Sequence, residues 1–113
     1  MNRGEVWEAD LEPTQGAEIK KIRPCVIVNR DALAKLPLKI IVPITEWDSK
    51  FQITAWHVPI EPTAENGLTK KSSADTFQVR SISETRLLRR IGSLTDENMA
   101  AIAKGLKISL FLE

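Results

Sequence analysis

The chain has 113 residues and a mass of 12.7 kDa, with 42% of positions apolar and 27% charged, the composition of one ordinary globular domain spanning residues 1–113. Sixteen Lys and Arg against fifteen Asp and Glu leave a net charge of +1, which excludes a polybasic binder, so any nucleic-acid site has to be a local patch. A single cysteine, Cys25, excludes an intramolecular disulfide and a zinc cage of paired cysteines. No apolar run reaches the ~20 residues of a membrane span and the N-terminus is no secretory signal, so a cytoplasmic protein without membrane contact is expected. A chain of this size buries roughly two-thirds of its unfolded surface, a modest core that self-association would help.

Residues 5–11 alternate, with Trp7, Ala9 and Leu11 on one side and Glu8 and Asp10 on the other, the period-two pattern of a half-buried strand. Glu12-Pro13-Thr14-Gln15-Gly16 is turn chemistry, and a polar loop follows through Glu18 to Ile22. Arg23-Pro24 opens Cys25-Val26-Ile27-Val28, a β-branched run that reads as a central strand with both faces covered; Cys25 fits there as a small buried residue. Residues 31–36 can form one helical turn. Residues 38–45 then resume a strand pattern, in which Pro43 predicts an edge position or a bulge.

Residues 53–60 alternate again, with Trp56, Val58 and Ile60 opposite His57, and Glu65-Asn66-Gly67 is a turn. Residues 73–83 read as one strand, which by parity puts Asp75, Phe77 and Val79 on one face and Gln78 and Arg80 on the other. Residues 86–94 make one more short strand. Met99, Ile102, Ala103, Leu106 and Leu110 recur at helical spacing behind an N-cap at Thr95, with Asp96 and Glu97 at the positive end of the dipole and a Leu94/Met99 staple. Many short strands and one closing helix predict a small barrel or rolled sheet. The apolar Leu110-Phe111-Leu112 is expected to pack on that barrel or on a second subunit.

The residues offer no activated Ser/His/Asp set, no P-loop, no dinucleotide fingerprint and no cluster of metal ligands, so neither metal nor cofactor is expected. His57 is the only histidine, which excludes a histidine-pair nuclease; within a strand it reads as a surface or interface residue. Trp7 and Trp56 read as core or interface packing, and Trp47 either as a stacking platform or as a loop residue tucked on the core. Arg23 follows Lys20 and Lys21, with Glu18 before and Thr45 after, and a guanidinium suits a phosphate. On charge pattern alone, this loop reads as solvated.

Taken in order, Arg3-Gly4-Glu5-Val6-Trp7, Asp10-Leu11-Glu12-Pro13-Thr14-Gln15-Gly16, Glu18, Arg23-Pro24-Cys25-Val26-Ile27-Val28, Val42-Pro43-Ile44-Thr45, Gly67-Leu68, Ser72, Gln78-Val79-Arg80-Ser81-Ile82 and Arg86-Leu87 resemble the PemK/MazF-type toxins over essentially the whole chain. The resemblance implies a mainly β fold with a C-terminal helix, an SH3-like or rolled β-barrel of the PemK/MazF/CcdB type, assembled as a homodimer. It also implies a sequence-specific, ribosome-independent and metal-independent endoribonuclease. In such an enzyme the ribose 2′-hydroxyl of single-stranded mRNA attacks the adjacent phosphate, leaving 2′,3′-cyclic phosphate and 5′-hydroxyl ends, and a cognate antitoxin covers the RNA site.

Carried over by position, the resemblance makes Arg23 and Thr45 the catalytic pair, Arg23 for phosphate charge and the leaving group, Thr45 for holding the phosphate or the 2′-hydroxyl. Glu18, Ser72 and Gln78 become substrate-binding candidates, joined on their own chemistry by Lys20 and Lys21, which raise the positive potential beside Arg23, and by Trp47 as a stacking platform. Phe77 departs from the pattern, because many members carry an acid there, which in some serves as the base, and Asp75 is either a substitute for it or a surface charge. Two other readings stay open: a non-enzymatic, topoisomerase-poisoning toxin of the same fold, and an SH3-like binding module.

Overall fold

The computed structural model describes residues 1–112. The alternating segments become β1 (Glu5–Asp10), β2 (Ile22–Ile27), β3 (Leu38–Glu46), β4 (His57–Ile60), β5 (Ser72–Asp75), β6 (Arg80–Ser83) and β7 (Leu87–Ser93), followed by the helix α1 (Asp96–Leu110). Every pairing is antiparallel, in the order β4-β5-β3-β2-β1-β7, with β6 beside β3. The expected class, mainly antiparallel β with one C-terminal helix, is what forms.

The sheet carries a core on each face. Val6, Val26, Val42 and Ile44 point to one side and join Ile60, Met99 and Ile102 beneath α1. Ala9, Leu11, Cys25, Ile27 and Ile41 point to the other and join Ile82 and Leu87, with Trp7 packed against them. β2 is therefore the doubly covered central strand its β-branched run predicts. Burial pushes the Cys25 thiol up to about 12. Each fully buried aliphatic side chain contributes ~1.5–3 kcal/mol, so these two clusters hold the fold.

Pro43 sits neither at an edge nor in a bulge. β3 pairs with β2 along one side, while on its other side Leu38–Ile41 pair with β6 and Ile44–Glu46 with β5. The proline falls where the strand changes partner, so its missing N–H interrupts no ladder.

Where β4 would have to meet β7, the turn at Glu65–Gly67 closes the roll instead: the Ser93 N–H donates to the Glu65 carbonyl at 2.8 Å. Gly67 has φ +70°, and a Cβ on it would lie 2.1 Å from the Ile91 carbonyl oxygen; a Cβ on Gly92 would lie 2.3 Å from the Glu65 carbonyl. Only glycines let these two backbones touch.

The N-cap of α1 forms as expected, with Thr95 Oγ1 accepting from the Asn98 N–H at 3.0 Å, and Leu94 and Met99 share the core. α1 ends on Phe111 in the left-handed region. Leu110, Phe111 and Leu112 do not pack on their own sheet; Phe111 is 96% exposed.

Three expectations on local structure are corrected. The strand foreseen over 53–60 is confined to His57–Ile60, because Asp48 caps a 3₁₀ turn over Ser49–Ile53 through a bond from the Lys50 N–H. The turn foreseen over 31–36 is a single 3₁₀ turn, Asp31–Leu33. The strand foreseen over 73–83 is broken by a 3₁₀ turn at Thr76–Gln78, capped by Asp75 Oδ1 accepting from the Phe77 N–H at 3.1 Å. Asp and Thr side chains offer the backbone bonds that compete with a ladder.

Candidate active site

Arg23 and Thr45 lie 22 positions apart in sequence on neighbouring strands. Cys25 pairs with Pro43, and two further steps in the same antiparallel register bring Arg23 opposite Thr45. Both line one cavity of about 210 Å³, together with Pro24, Ser72, Glu8 and Glu46. The charges around it are unequal in their bonding. Glu8 is paired with Arg89 at 2.8 Å and Glu46 with Lys70 at 3.1 Å. Exposed Arg23 has no counter-ion among the described residues, and its single bond runs from Nε to the Lys20 carbonyl at 3.3 Å. Its terminal nitrogens keep their planar pair of donors for an anion.

Ser72 is buried, and its hydroxyl donates to the Lys70 carbonyl at 2.9 Å, which holds the loop that forms the cavity's far wall. Glu18 and Gln78 are not in this cavity. They line a second one, of about 520 Å³, with Phe77, Arg80 and Pro43. Gln78 acts there on the protein itself: Oε1 accepts from the Ile19 N–H at 2.7 Å and Nε2 donates to the Ala17 carbonyl at 3.3 Å. The carboxamide clamps the β1–β2 loop, while Glu18 closes that loop from within by accepting from the Gln15 N–H.

Lys20 and Lys21 are exposed on the same loop and line neither cavity. Lys21 has φ +70°; its N–H donates to Glu12 Oε1 and its carbonyl accepts from the Leu11 N–H, which turns the chain back into β2. Trp47 is half-buried outside both cavities, with Phe51 edge-on at 5.7 Å and Lys71 Nζ 4.9 Å from its ring.

The strand parity that put Asp75 on the face of Phe77 does not hold. Asp75 and Phe77 do not share a strand face, since the chain leaves the strand between them, and Phe77 is 68% exposed while Asp75 is 7% exposed. The carboxylate faces the His57 ring, Oδ2 to Nε2 at 3.6 Å. His57 is accordingly neither a surface nor a free residue. Trp56 tilts against the His57 ring, at 5.7 Å between centroids, rather than filling the core.

Arg80 is the residue the pattern of charges did not single out. Its Nη1 donates to the Leu11 carbonyl at 3.4 Å, and Arg86 Nη1 donates to the carbonyls of Asp10 and Glu12, so two arginines grip the end of β1 where the loop departs. Its place after Gln78 in the Gln-x-Arg segment was the available signal. No three His, Cys, Asp or Glu side chains among the described residues are grouped to hold a metal ion. No helix among the described residues is long and apolar enough to cross a membrane.

A rolled antiparallel sheet with a C-terminal helix and an uncompensated guanidinium beside a threonine defines a small β-roll whose cleft presents one unpaired arginine. Residues 2–110 match the family described as PemK-like, MazF-like toxin of type II toxin-antitoxin system, and the chain belongs to that family. It is 33% identical over 118 residues to the endoribonuclease MazF9 of Mycobacterium tuberculosis, covering 99% of this chain and 98% of that protein. It is 37% identical over 113 residues to the endoribonuclease MazF of Staphylococcus saprophyticus, covering 99% and 92%. A mycobacterial endoribonuclease solved in complex with its cognate antitoxin shares the fold, with TM-score 0.78 at 20% identity over 100% of this chain and 97% of that one.

Proposed function

We propose that this protein is a sequence-specific endoribonuclease toxin that cuts single-stranded mRNA without the ribosome and without a metal ion. The carrying observation is the meeting of Arg23 and Thr45 at one cavity in which Arg23 alone lacks a counter-ion among the described residues. In the reaction the ribose 2′-hydroxyl attacks the adjacent phosphorus: the P–O2′ bond forms, the P–O5′ bond breaks, the 2′-hydroxyl loses its proton and the departing O5′ gains one. The products are a 2′,3′-cyclic phosphate and a 5′-hydroxyl. Arg23 donates to the phosphoryl oxygens as charge grows on them and faces the leaving oxygen, and Thr45 holds the phosphate against it. Ser72 lines the same cleft, and Glu18, Lys20 and Lys21 on the loop that Gln78 clamps, with Trp47 after Thr45, are the candidates for contacts to RNA outside it.

The exposed Leu110, Phe111 and Leu112 support a homodimer, since an apolar terminus finds no cover on its own subunit. Membership in a family of toxin-antitoxin systems, and a structural neighbour solved with its cognate antitoxin, support an antitoxin partner that occludes this site in the cytoplasm.

The test is to incubate purified protein and its Arg23→Ala variant with a long single-stranded RNA in EDTA and map cut sites and end groups. Discrete cuts by the wild type alone, with the two end groups above, are expected. A folded wild type that leaves RNA whole points to the topoisomerase-poison or binding-module readings, and activity that EDTA abolishes and magnesium restores rules out the metal-free route.

A further inference from the structure

The outer face of β3, β5 and β4 carries a polar row that starts at Thr45 and runs on past the site above. Register sets Thr45 opposite Ser73 and His57 opposite Asp75, on the face turned away from the core residues Ile44, Ala74 and Val58. Residues 47–56 fold back over it. Phe51 lies flat on the His57 ring, 3.8 Å between centroids and 4° from parallel. In the same row Ser73 Oγ is fully buried with no hydrogen-bond partner among the described residues.

The bonds of His57 define its job. The Thr54 hydroxyl gives its one hydrogen to the Phe51 carbonyl at 2.9 Å, so the 2.6 Å contact between Thr54 Oγ1 and His57 Nδ1 requires the ring to donate there. Nε2 is left facing Asp75 at 3.6 Å, toward which it donates when protonated. Nδ1 is committed to Thr54 and one ring face is covered by Phe51, so the ring is fixed in place against the 47–56 segment.

What it holds borders both halves of the catalytic pair. On one side the segment pinned by Phe51 and Thr54 begins two residues beyond Thr45. On the other, Asp75 caps the turn at Thr76–Gln78 through the Phe77 N–H, and Gln78 clamps Ala17 and Ile19 in the loop whose Lys20 carbonyl receives Arg23 Nε. Thr76 ties the same turn to α1 through Ser109, a fixed support against which Asp75 sets its far end.

We propose that His57 is a positioning residue of the ribonuclease site, coupling the segment beside Thr45 to the loop beside Arg23 through Asp75 and Gln78. This rests on the ribonuclease reading. A cradle loosened at both edges misplaces its donors in the transition state while still attracting RNA, so the loss falls on kcat.

The test compares His57→Phe, which keeps a ring on Phe51 and removes the bond to Thr54 and the polar contact to Asp75, with His57→Gln, whose amide supplies two donors. Expected for His57→Phe are a kcat at least tenfold lower, a KM within about twofold of wild type, and an Ile19 amide that exchanges with solvent at least tenfold faster; His57→Gln recovers part of each. Unchanged Ile19 exchange overturns the coupling, whatever happens to cleavage, and so does a His57→Phe enzyme of wild-type kcat. Should His57→Phe fail to fold, the same measurements on His57→Gln and Asp75→Asn decide the matter in the same way. Exchange needs no RNA: a wild type that cuts nothing fells the ribonuclease reading, and the positioning role with it, while Ile19 still reports whether the mechanical link exists.

Discussion

Two cations in this molecule show how bonding decides between holding a fold and meeting a ligand. Lys39 is 1% exposed, and its Nζ donates to the carbonyls of Leu36 at 2.6 Å, Ala34 at 3.1 Å and Leu38 at 3.4 Å, with Glu84 also at 3.4 Å. Every donor is engaged, and the ammonium ties the 31–36 segment to the start of β3. Arg23 is exposed, uses one of its five N–H groups, and faces a cavity whose other charges are already paired. The first cation is structure; the second is held ready.

Exchanging their fates is the way to break that contrast. Arg23→Ala should lower RNA cleavage by roughly 10²–10³, the usual cost of one donor to a transition-state anion, with little change in the thermal midpoint. Cleavage assays beside melting curves check this, and a variant that loses fold and activity together would make Arg23 a structural cation like Lys39. Lys39→Met should do the reverse: three carbonyls lose their donor, at a cost of about 2–3 kcal/mol read from the urea midpoint, while activity per folded molecule stays near wild type.

Cys25, two residues beyond Arg23, sharpens the contrast at its weakest end. Its thiol is buried without a charge to meet, and burial lifts it from 9.0 to about 12. The folded state binds the proton more tightly, so this contribution to stability is full below pH 9 and is lost as pH rises from 9 toward 12. Near pH 8 the native thiol should react with a disulfide reagent about 10³-fold more slowly than in urea, as followed by thiolate release. Native reactivity equal to that in urea would show that β2 opens freely beside the site.

What the sequence discloses and what it hides follow one division. β1, β2 and α1 are legible because alternation, a β-branched run and a capped 3.6 period each report burial on the residue's own element. The break at Thr76–Gln78 is hidden because alternation continues through it, and only the Asp75 cap interrupts the ladder. Arg23 and Thr45 are readable as a motif, and the register brings them together. Gln78 is readable as a site residue, yet its two bonds to the β1–β2 loop are invisible until the chain folds. His57 is hidden altogether, since its carboxylate partner lies 18 positions away and becomes a neighbour only through the pairing of β4 with β5.

The seam where the roll closes leaves one more mark. Gly67 lies against the Ile91 backbone and Gly92 against the backbone of Glu65 and Asn66, so neither position has room for a side chain. They are thus a single constraint written at two addresses 25 residues apart. A side chain at either address would have to push the opposite backbone aside, so the seam fixes the two positions together.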